Sequence, residues 1–469
     1  MRGDTFFLIQ PCILTARRAC RITTAMDKGT SNEREREACQ IVKTLTKAGF
    51  VAYFAGGCVR DRFWGLEPGD IDIATSADSE TVLRLFPGSK HVGKAFGVSL
   101  VTVERFATEV ASFRIDGPYR DGRRPEWVRP AQSAAEDARR RDFTINGLFF
   151  DPLSGRILDT VDGISDLERH VLRAIGEAEA RFEEDWLRLY RAVRFAARFG
   201  LRIEDRTGAA MRKLAPCVSG LAPERVREEL DRILTGPRPH LGLRLLDEFG
   251  LLSPWLPEVS ALHGVTQSPV YHPEGDAFEH TVKVLEHLEA PGPELAFAAL
   301  LHDIGKALTR SPDGESNFAR HTQVGAELVP VIGERLRFSR ERTERVAALV
   351  GDHGRFKDFP VMRPSTRKRF LAMPHLRELL ALHKADCLSG GRSLAIHDDI
   401  ASLLDRKPES LALPAPLING RDLLDCGVSP GPMLGRILEA VREKQLQGEL
   451  ENRESALDFA RRFSDTSRQ

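Results

Sequence analysis

The stretch from Phe50 to Thr75 limits the fold more than any other part of the chain. FVAYFAGG is an apolar run that breaks into two glycines, Gly56 and Gly57, and a helix-compatible segment, Cys58-Val59-Arg60-Asp61, follows at once. Shortly after, DIDIAT alternates Asp70 and Asp72 with Ile71 and Ile73, so a strand here turns both carboxylates to one face and both isoleucines into a core. Strand, glycine turn, helix and acidic strand in that order require a mixed α/β layer. Glycines let backbone N–H groups approach a phosphate, and a helix N-terminus favours negative charge. Two carboxylates on one rigid face offer Mg²⁺ the hard oxygen ligands that phosphoryl transfer uses. Taken alone, the acidic pair reads equally as a solvated strand face and the glycines as a simple turn; together they point to a phosphate-handling site.

Around this segment, EREREACQIVKTLTKAG (Glu33 to Gly49) reads as an amphipathic helix closed by Gly49. Strands are expected at Ile71 to Ala74, Gly97 to Val103 and Glu109 to Phe113, with a helix at Ser79 to Leu85. After about Glu177 strand signals fade, and helices follow one another between turns such as TGPRPH, APGPE and SPGPM. A chain of 469 residues exceeds one core, so several domains are expected. Ala290 to Glu294 and Leu411 to Pro416 are candidate linkers.

With 68 basic and 68 acidic residues there is no whole-molecule field to draw in a polyanion, and nucleic-acid contact must come from local patches. No run of about 18 apolar residues is present to span a bilayer, so no membrane partner is expected. The seven cysteines are scattered and never spaced as CxxC, which argues against a disulfide framework or zinc knuckle and for a reducing cytoplasm. Residues 1–25 carry Arg2, Arg17, Arg18 and Arg21 around a short apolar stretch; they read as an organellar-type leader or as a start placed upstream of Met26, and are left out of the fold.

Five motifs then stand in order: GGCVRD, DIDIAT, EVASFR, RRRDFTINGLFFD (Arg139 to Asp151) and EEDWLRLYRAVRFAARFG (Glu183 to Gly200). Their order and spacing resemble the bacterial-type tRNA nucleotidyltransferase and poly(A) polymerase family, from about residue 35 to the C-terminus. The resemblance implies Asp70 and Asp72 as Mg²⁺ ligands and Glu109 as a third catalytic carboxylate. It implies triphosphate contacts from Gly56 and Gly57, ribose recognition by Arg60 and Asp61, and a nucleotide site lined by Arg114, Arg140, Arg141, Asp142 and Asn146.

If Glu184, Asp185, Arg188 and Arg191 share one helix, they lie within one or two turns of each other. Aspartate accepts and arginine donates in fixed planes, as a protein mimic of a Watson–Crick edge requires, because cytosine and adenine both present an amino donor beside an acceptor nitrogen. Read without the other motifs, Glu184 and Arg188 are an ordinary i,i+4 surface pair of about 0.3–0.5 kcal/mol. The family resemblance instead gives EDxxR the selection of CTP or ATP, and it makes the Gly-, Pro- and Arg-rich stretch from Ile115 to Ala138 a mobile loop tied to the switch between them.

A second constellation comprises His280, His302-Asp303 in ALLHDIGK, His321, His353 and Asp386. Asp303 ends the apolar run LAFAALLHD, where a bare carboxylate is costly and a bound cation removes the cost. The pattern resembles the HD phosphohydrolase superfamily, which implies His280, His302, Asp303 and Asp386 as ligands, with His321 and His353 available to a second ion. The ion that the resemblance implies is Ni²⁺, Mn²⁺ or a similar transition ion, or Mg²⁺. LINGRDLLDCGVSPGPMLGRILEAVREKQLQGEL (Leu417 to Leu450) resembles the tRNA-binding tail of family members that carry this domain.

The expected fold class is α+β: an extension over 1–30, a mixed-sheet head over 31–175, a helical neck and body over 176–262, an all-α HD domain over 263–392 and a helical tail over 393–469. The expected function is addition of CCA to tRNA from CTP and ATP by a monomer or homodimer, and the HD resemblance implies an additional phosphohydrolase activity in RNA end repair. An A-adding enzyme or poly(A) polymerase on the same head, and an HD hydrolase with an RNA-binding head, are the alternatives.

Overall fold

The computed structural model describes residues 33–93, 97–119, 125–267, 275–309, 318–406 and 413–466. The expected 1–30 extension and parts of the expected loop (120–124) and of the second candidate linker (411–412) lie outside the described residues. Two compact units result: one runs to Leu221 and takes in Phe249–Leu251, and the other comprises Ala222–Glu248 and the chain from Leu252 onward.

The first unit is built on a seven-stranded sheet. Its strands are β1 (Ala52–Ala55), β2 (Ile73–Thr75), β3 (Lys90–Gly93), β4 (Val98–Thr102), β5 (Ala107–Ser112), β8 (Phe149–Asp151) and β9 (Arg156–Leu158), in the order β3-β4-β5-β2-β1-β8-β9. All neighbours are antiparallel except β2 and β5. Helix Glu33–Lys47 buries Ala38, Ile41, Val42 and Leu45, the i, i+3, i+4, i+7 stripe that places one apolar face on a core. Ala55, Ala74, Phe113, Ala134, Ala138 and Phe149 form a buried cluster under the sheet, with Phe113 edge-on to Phe149 at 6.2 Å.

Sequence reading finds the helix Ser79–Leu85 and strands β1, β2, β4 and β5, and it leaves out β3, β8 and β9. None of these three short strands shows an apolar–polar alternation in its own residues, KHVG, FFD and RIL. The stretch read as a mobile loop is flanked by order: β6 (Arg114–Asp116) and β7 (Val128–Pro130) form an antiparallel pair, and Ser133 caps a helix, Ala134–Arg139. Arg202–Ile203, paired in parallel with Val171–Leu172, and a single bridge between Thr266 and Asp276 interrupt the helical run after Glu177.

The second unit is helical. Pro293–Leu301 is its central helix, with every residue from Leu295 to Leu301 buried. Helices Ala277–His287, Arg340–Asp352 and Leu376–Ser389 pack against it, and His321–Arg335 packs against Arg340–Asp352. Ala290–Glu294, read as a candidate domain linker, covers the turn after Ala277–His287 and the first two residues of Pro293–Leu301, helices that pack together, with Ala290 at φ 40°. Helices Gly420–Asp425, Pro432–Gln447 and Arg453–Thr466 close around Leu423, Val428, Ile437, Val441, Ala456 and Ala460.

Candidate functional site

In the head the acidic residues are set by strand pairing. β2 and β5 run parallel with Ile73 opposite Val110, so one residue back on each strand Asp72 stands beside Glu109. Ala55 N–H donates to Asp72 O at 2.9 Å, carrying the ladder through Asp72. The protein crowded around the Asp72 carboxyl, and then the neighbouring Glu109, push it up to about 6, with Asp70 adding to the effect and Arg141 opposing it. Negative charge concentrated in this way favours a divalent cation. Asp70 is turned outward: its side chain is 92% exposed and accepts from Arg34 Nη1 at 3.0 Å. The structure thus brings Asp72 and Glu109 together and leaves Asp70 at the edge.

Gly56 ends β1 at φ 72°, and its N–H donates to Leu148 O at 3.0 Å, tying the turn to β8. A Cβ here would fall 2.8 Å from Arg141 Nη1, so glycine is required twice over. Gly57 opens the helix Gly57–Phe63, whose buried Arg60 donates to Asp61 Oδ1 from Nε at 2.8 Å and from Nη2 at 2.6 Å. Arg60 also donates to Asn146 Oδ1 and lies over the rings of Phe195 and Phe199 at 5.0 and 4.6 Å. Asn146 Nδ2 donates to Asp142 Oδ1 at 3.0 Å, and Arg191 holds the other Asp142 oxygen. Arg60, Asp61, Asn146, Asp142 and Arg191 therefore form one continuous polar chain.

Arg140 and Arg141 are clamped by Asp137, which is fully buried: it accepts from Arg140 Nε at 2.7 Å and from Arg141 Nε and Nη2 at 3.2 and 3.0 Å. The Arg114 backbone N–H reaches the same carboxylate at 3.3 Å, while Arg114 Nε lies 2.9 Å from Asp116 Oδ1. Tyr119 donates to Asp116 Oδ2 at 2.9 Å.

The EDxxR segment corrects the expectation of a single helix. Helix Ala178–Glu184 stops, Asp185 is extended at φ −154° and ψ 104°, and a new helix runs Leu187–Phe199. Asp185 Oδ1 accepts from Leu187 N at 3.0 Å, the bond by which an aspartate caps the helix that follows it. Nor is Glu184–Arg188 a surface pair. Arg188 is 9% exposed, donates to Arg181 O at 2.6 Å and to Glu184 Oε2, and reaches Arg140 O at 3.4 Å. One carboxylate and two carbonyls fix the plane of its guanidinium.

In the second unit, the central helix delivers His302 and Asp303, each 1% exposed. Asp303 is the hub: His302 Nε2 and His280 Nε2 lie 3.2 and 3.7 Å from Oδ2, and His321 Nε2 and His353 Nε2 lie 3.6 and 3.9 Å from Oδ1. Two candidate ligand groups result, His280–His302–Asp303 and Asp303–His321–His353, each with donor atoms within 4.8 Å of one another. Asp386 Oδ1 is 3.0 Å from His280 Nε2. Every ring is oriented from behind: Nδ1 of His302, His321 and His353 meets a backbone carbonyl at 2.8, 2.9 and 2.7 Å, and that of His280 meets Ser389 Oγ at 3.1 Å. Burial, then neighbouring His302, lowers His353 to about 3, and burial lowers His321, so both imidazoles are neutral and present lone pairs. The Nε2 of His302 is buried without a well-formed hydrogen bond among the described residues, as a ligand atom would be. Imidazole and carboxylate donors in this arrangement fit a divalent transition metal.

Four family models match the chain: the poly A polymerase head domain over 52–173, the probable RNA and SrmB-binding site of polymerase A over 200–262, the HD domain over 277–391, and tRNA nucleotidyltransferase domain 2 over 410–460. A CCA-adding enzyme from Lactiplantibacillus plantarum is 31% identical over 443 residues, which cover 91% of this chain and 96% of that enzyme. The chain belongs to the CCA-adding enzyme family. Among other family members, the multifunctional CCA protein of Xanthomonas campestris is 35% identical over 83% of this chain and 96% of that protein. A Geobacillus kaustophilus CCA-adding enzyme is 42% identical over 225 residues, a match spanning about half its length (55%). The crystal structure of a Bacillus stearothermophilus CCA-adding enzyme in complex with CTP superimposes with a TM-score of 0.72 at 27% identity, covering 93% of this chain and 99% of that one.

Within this CCA-adding family fold, Asp137, which holds Arg140 and Arg141, is a residue of the candidate site that sequence reading passed over. Its signal was available: it stands i+3 and i+4 from Arg140 and Arg141, in a helix announced by Ser133-Ala134-Ala135-Glu136.

Proposed function

We propose that this chain adds CCA to the 3′ end of tRNA, using CTP twice and ATP once, in the cytoplasm. The observation that carries the reading is the buried Arg188 guanidinium, held in one plane by Glu184 and the Arg181 carbonyl, in a head whose parallel strands set Asp72 next to Glu109. Asp70 and Asp72 would hold Mg²⁺, with Glu109 as the third carboxylate; a bound ion lowers the pKa of the attacking 3′-hydroxyl and neutralises the leaving pyrophosphate. Gly56 and Gly57 let the backbone approach the triphosphate. Arg140 and Arg141, aimed by Asp137, supply positive charge to it, and the Arg60–Asp61 and Asn146–Asp142 pairs shape the ribose end. Arg188 and Asp185 read the base by donor and acceptor, so cytosine and adenine, each with an amino donor beside an unprotonated ring nitrogen, are accepted, and uracil and guanine, with a protonated ring nitrogen beside a carbonyl, are not.

The test is extension of tRNA transcripts ending before CCA, at C and at CC, with CTP and ATP given singly and together. CCA followed by a stop supports the reading. Addition of A alone to the CC transcript would make it an A-adding enzyme, and long A ladders a poly(A) polymerase.

A second reading, for the helical unit, is a metal-dependent phosphohydrolase. The observation in its favour is a cavity of about 660 Å³ that includes His302, Asp303, His321, His353 and Asp386 and also carries Lys306, Arg320, Arg355, Lys357 and Arg392. Lys306 is paired with Asp303, Arg392 with Asp386 and Arg355 with Asp352, while Arg320 and Lys357 form no ion pair among the described residues and suit a phosphoester beside a metal centre: water adds to phosphorus, one P–O bond breaks, and a hydroxyl and a phosphate leave. Hydrolysis of bis(p-nitrophenyl) phosphate by the Ni²⁺-, Mn²⁺- or Mg²⁺-loaded chain, abolished by His302→Ala, is the test.

A further inference from the structure

Arg181, on the helix Ala178–Glu184, is a cation that the proposed reaction leaves without a task. Its side chain is only 15% exposed, and a guanidinium so placed needs acceptors within the protein. Nε donates to Ile175 O at 3.1 Å, Nη2 to Arg139 O at 2.6 Å, and Nη1 to both oxygens of Glu184, at 3.1 and 2.8 Å. Every nitrogen has a protein acceptor, so the group acts on its neighbours and does not itself meet a nucleotide.

Those neighbours belong to the site. Glu184 is the carboxylate that holds Arg188, and Arg188 Nη1 also donates to the Arg181 carbonyl at 2.6 Å. Glu184 is the last residue of its helix, 27% exposed, where the backbone gives way to the extended Asp185. A flexible glutamate at a helix end takes up many orientations; the grip of Arg181 on both its oxygens fixes one, and with it the plane of Arg188. Arg139 and Arg140 offer consecutive carbonyls at the end of the helix Ala134–Arg139, where intrahelical donors run out. Arg181 takes the first of them at 2.6 Å and Arg188 the second at 3.4 Å. The same helix carries Asp137, the clamp of Arg140 and Arg141. Ile175, whose carbonyl accepts from Arg181 Nε, is tied through its own N–H to Asp142 O at 3.1 Å.

We infer that Arg181 is a positioning residue for base selection. Through Glu184 it sets the plane of the Arg188 guanidinium, and through Arg139 O it fixes that plane relative to the arginines that face the triphosphate. This role rests on the reading of the base by Arg188.

The test uses the full-length chain with Mg²⁺ and a tRNA transcript ending before CCA. Wild type, Arg181→Gln and Arg181→Lys are compared in single-turnover addition with CTP and with UTP. In Arg181→Gln, CTP addition and the preference for CTP over UTP should each fall by about tenfold, less than for loss of Arg188 itself because the Arg181 and Arg140 carbonyls still hold that side chain. Inhibition by pyrophosphate should stay within about twofold of the wild type, because Asp137 still aims Arg140 and Arg141. Arg181→Lys keeps a charge beside Glu184 but cannot reach all three acceptors at once, so it should recover only part of the preference, and it carries the test if Arg181→Gln fails to fold. Added to Arg188→Ala, Arg181→Gln should slow CTP addition no further. An unchanged preference in both variants, a loss of pyrophosphate inhibition equal to the loss of CTP addition, or a further loss in the Arg188→Ala background would each overturn the positioning role while leaving CCA addition in place. No nucleotide addition by the wild type would overturn CCA addition and the positioning role with it.

Discussion

Arg191 donates from both Nε and Nη2 to a single oxygen of Asp142, at 2.8 and 2.6 Å. Burial acts to raise the Asp142 pKa, yet Arg191 and the Asn146 amide outweigh it and hold the carboxyl well below its ordinary range. A folded pKa below the unfolded one means that the unfolded chain takes up the proton first as pH falls. The stabilisation is therefore complete above the unfolded aspartate value of about 3.9 and is lost as pH drops below it. Asp142→Asn should cost about 2 kcal/mol at pH 7, reduced from the fully buried case because Arg191 is partly exposed. The variant should also be less sensitive to acid than the wild type. Urea unfolding at pH 7 and at about pH 2.5, below the unfolded aspartate value, checks this, and equal losses on acidification would refute it.

Arg188→Ala removes the planar donor and leaves Glu184 facing a gap. CTP and ATP addition should fall by about 100-fold or more, the equivalent of two charge-assisted hydrogen bonds. Discrimination against UTP and GTP should collapse with it. Single-turnover addition with each of the four nucleotides measures both effects; a slower enzyme with intact selectivity would place base reading elsewhere.

Asp137→Ala would leave Arg140 and Arg141 without their shared carboxylate. A loss of about 3 kcal/mol in stability is expected, as for a broken buried pair. Asp137→Glu should fold better while still misplacing both guanidinium groups, so its KM for nucleotide should rise more than its kcat falls. Steady-state kinetics of the two variants separates positioning from mere folding.

Gly56→Ala meets a left-handed backbone and Arg141 Nη1 together. The strain of about 1–2 kcal/mol should appear in the melting temperature, and displacement of Arg141 in a nucleotide-addition rate lowered by about tenfold or more. A variant of wild-type activity would mean that Arg141 moves aside freely and has no part in holding the triphosphate.

For the helical unit, His302→Ala should weaken Ni²⁺ or Mn²⁺ binding by about 100-fold or more in calorimetric titration. CCA addition by the head should be unchanged. Identical isotherms for variant and wild type would remove His302 from the ligand set.

What the sequence discloses depends on how local the signal is. DIDIAT was readable because alternation needs only four residues, and the acidic face follows from it. That Glu109 stands beside Asp72 was not, because the pairing of β2 with β5 joins residues far apart in the chain, and parallel register leaves no mark in either strand alone. The break at Asp185 was hidden for the opposite reason: the apolar spacing from Phe182 to Leu189 continues through it, so periodicity reports a helix where hydrogen bonding reports a cap. His302 and Asp303 were visible from their costly position at the end of an apolar run. The convergence of His321 and His353 on the same carboxylate depends on how four helices pack, which no residue pattern states.

The burial of every residue from Leu295 to Leu301 has an evolutionary side. No face of that helix is open to neutral drift, whereas the histidine and aspartate at its end, though equally buried, lie beyond its last turn. A lineage can therefore lose the chemistry by changing one ligand and keep the shape intact, while the reverse order damages both. Descendants with a silent centre on an unaltered frame are the natural outcome, and in them the frame persists as architecture alone.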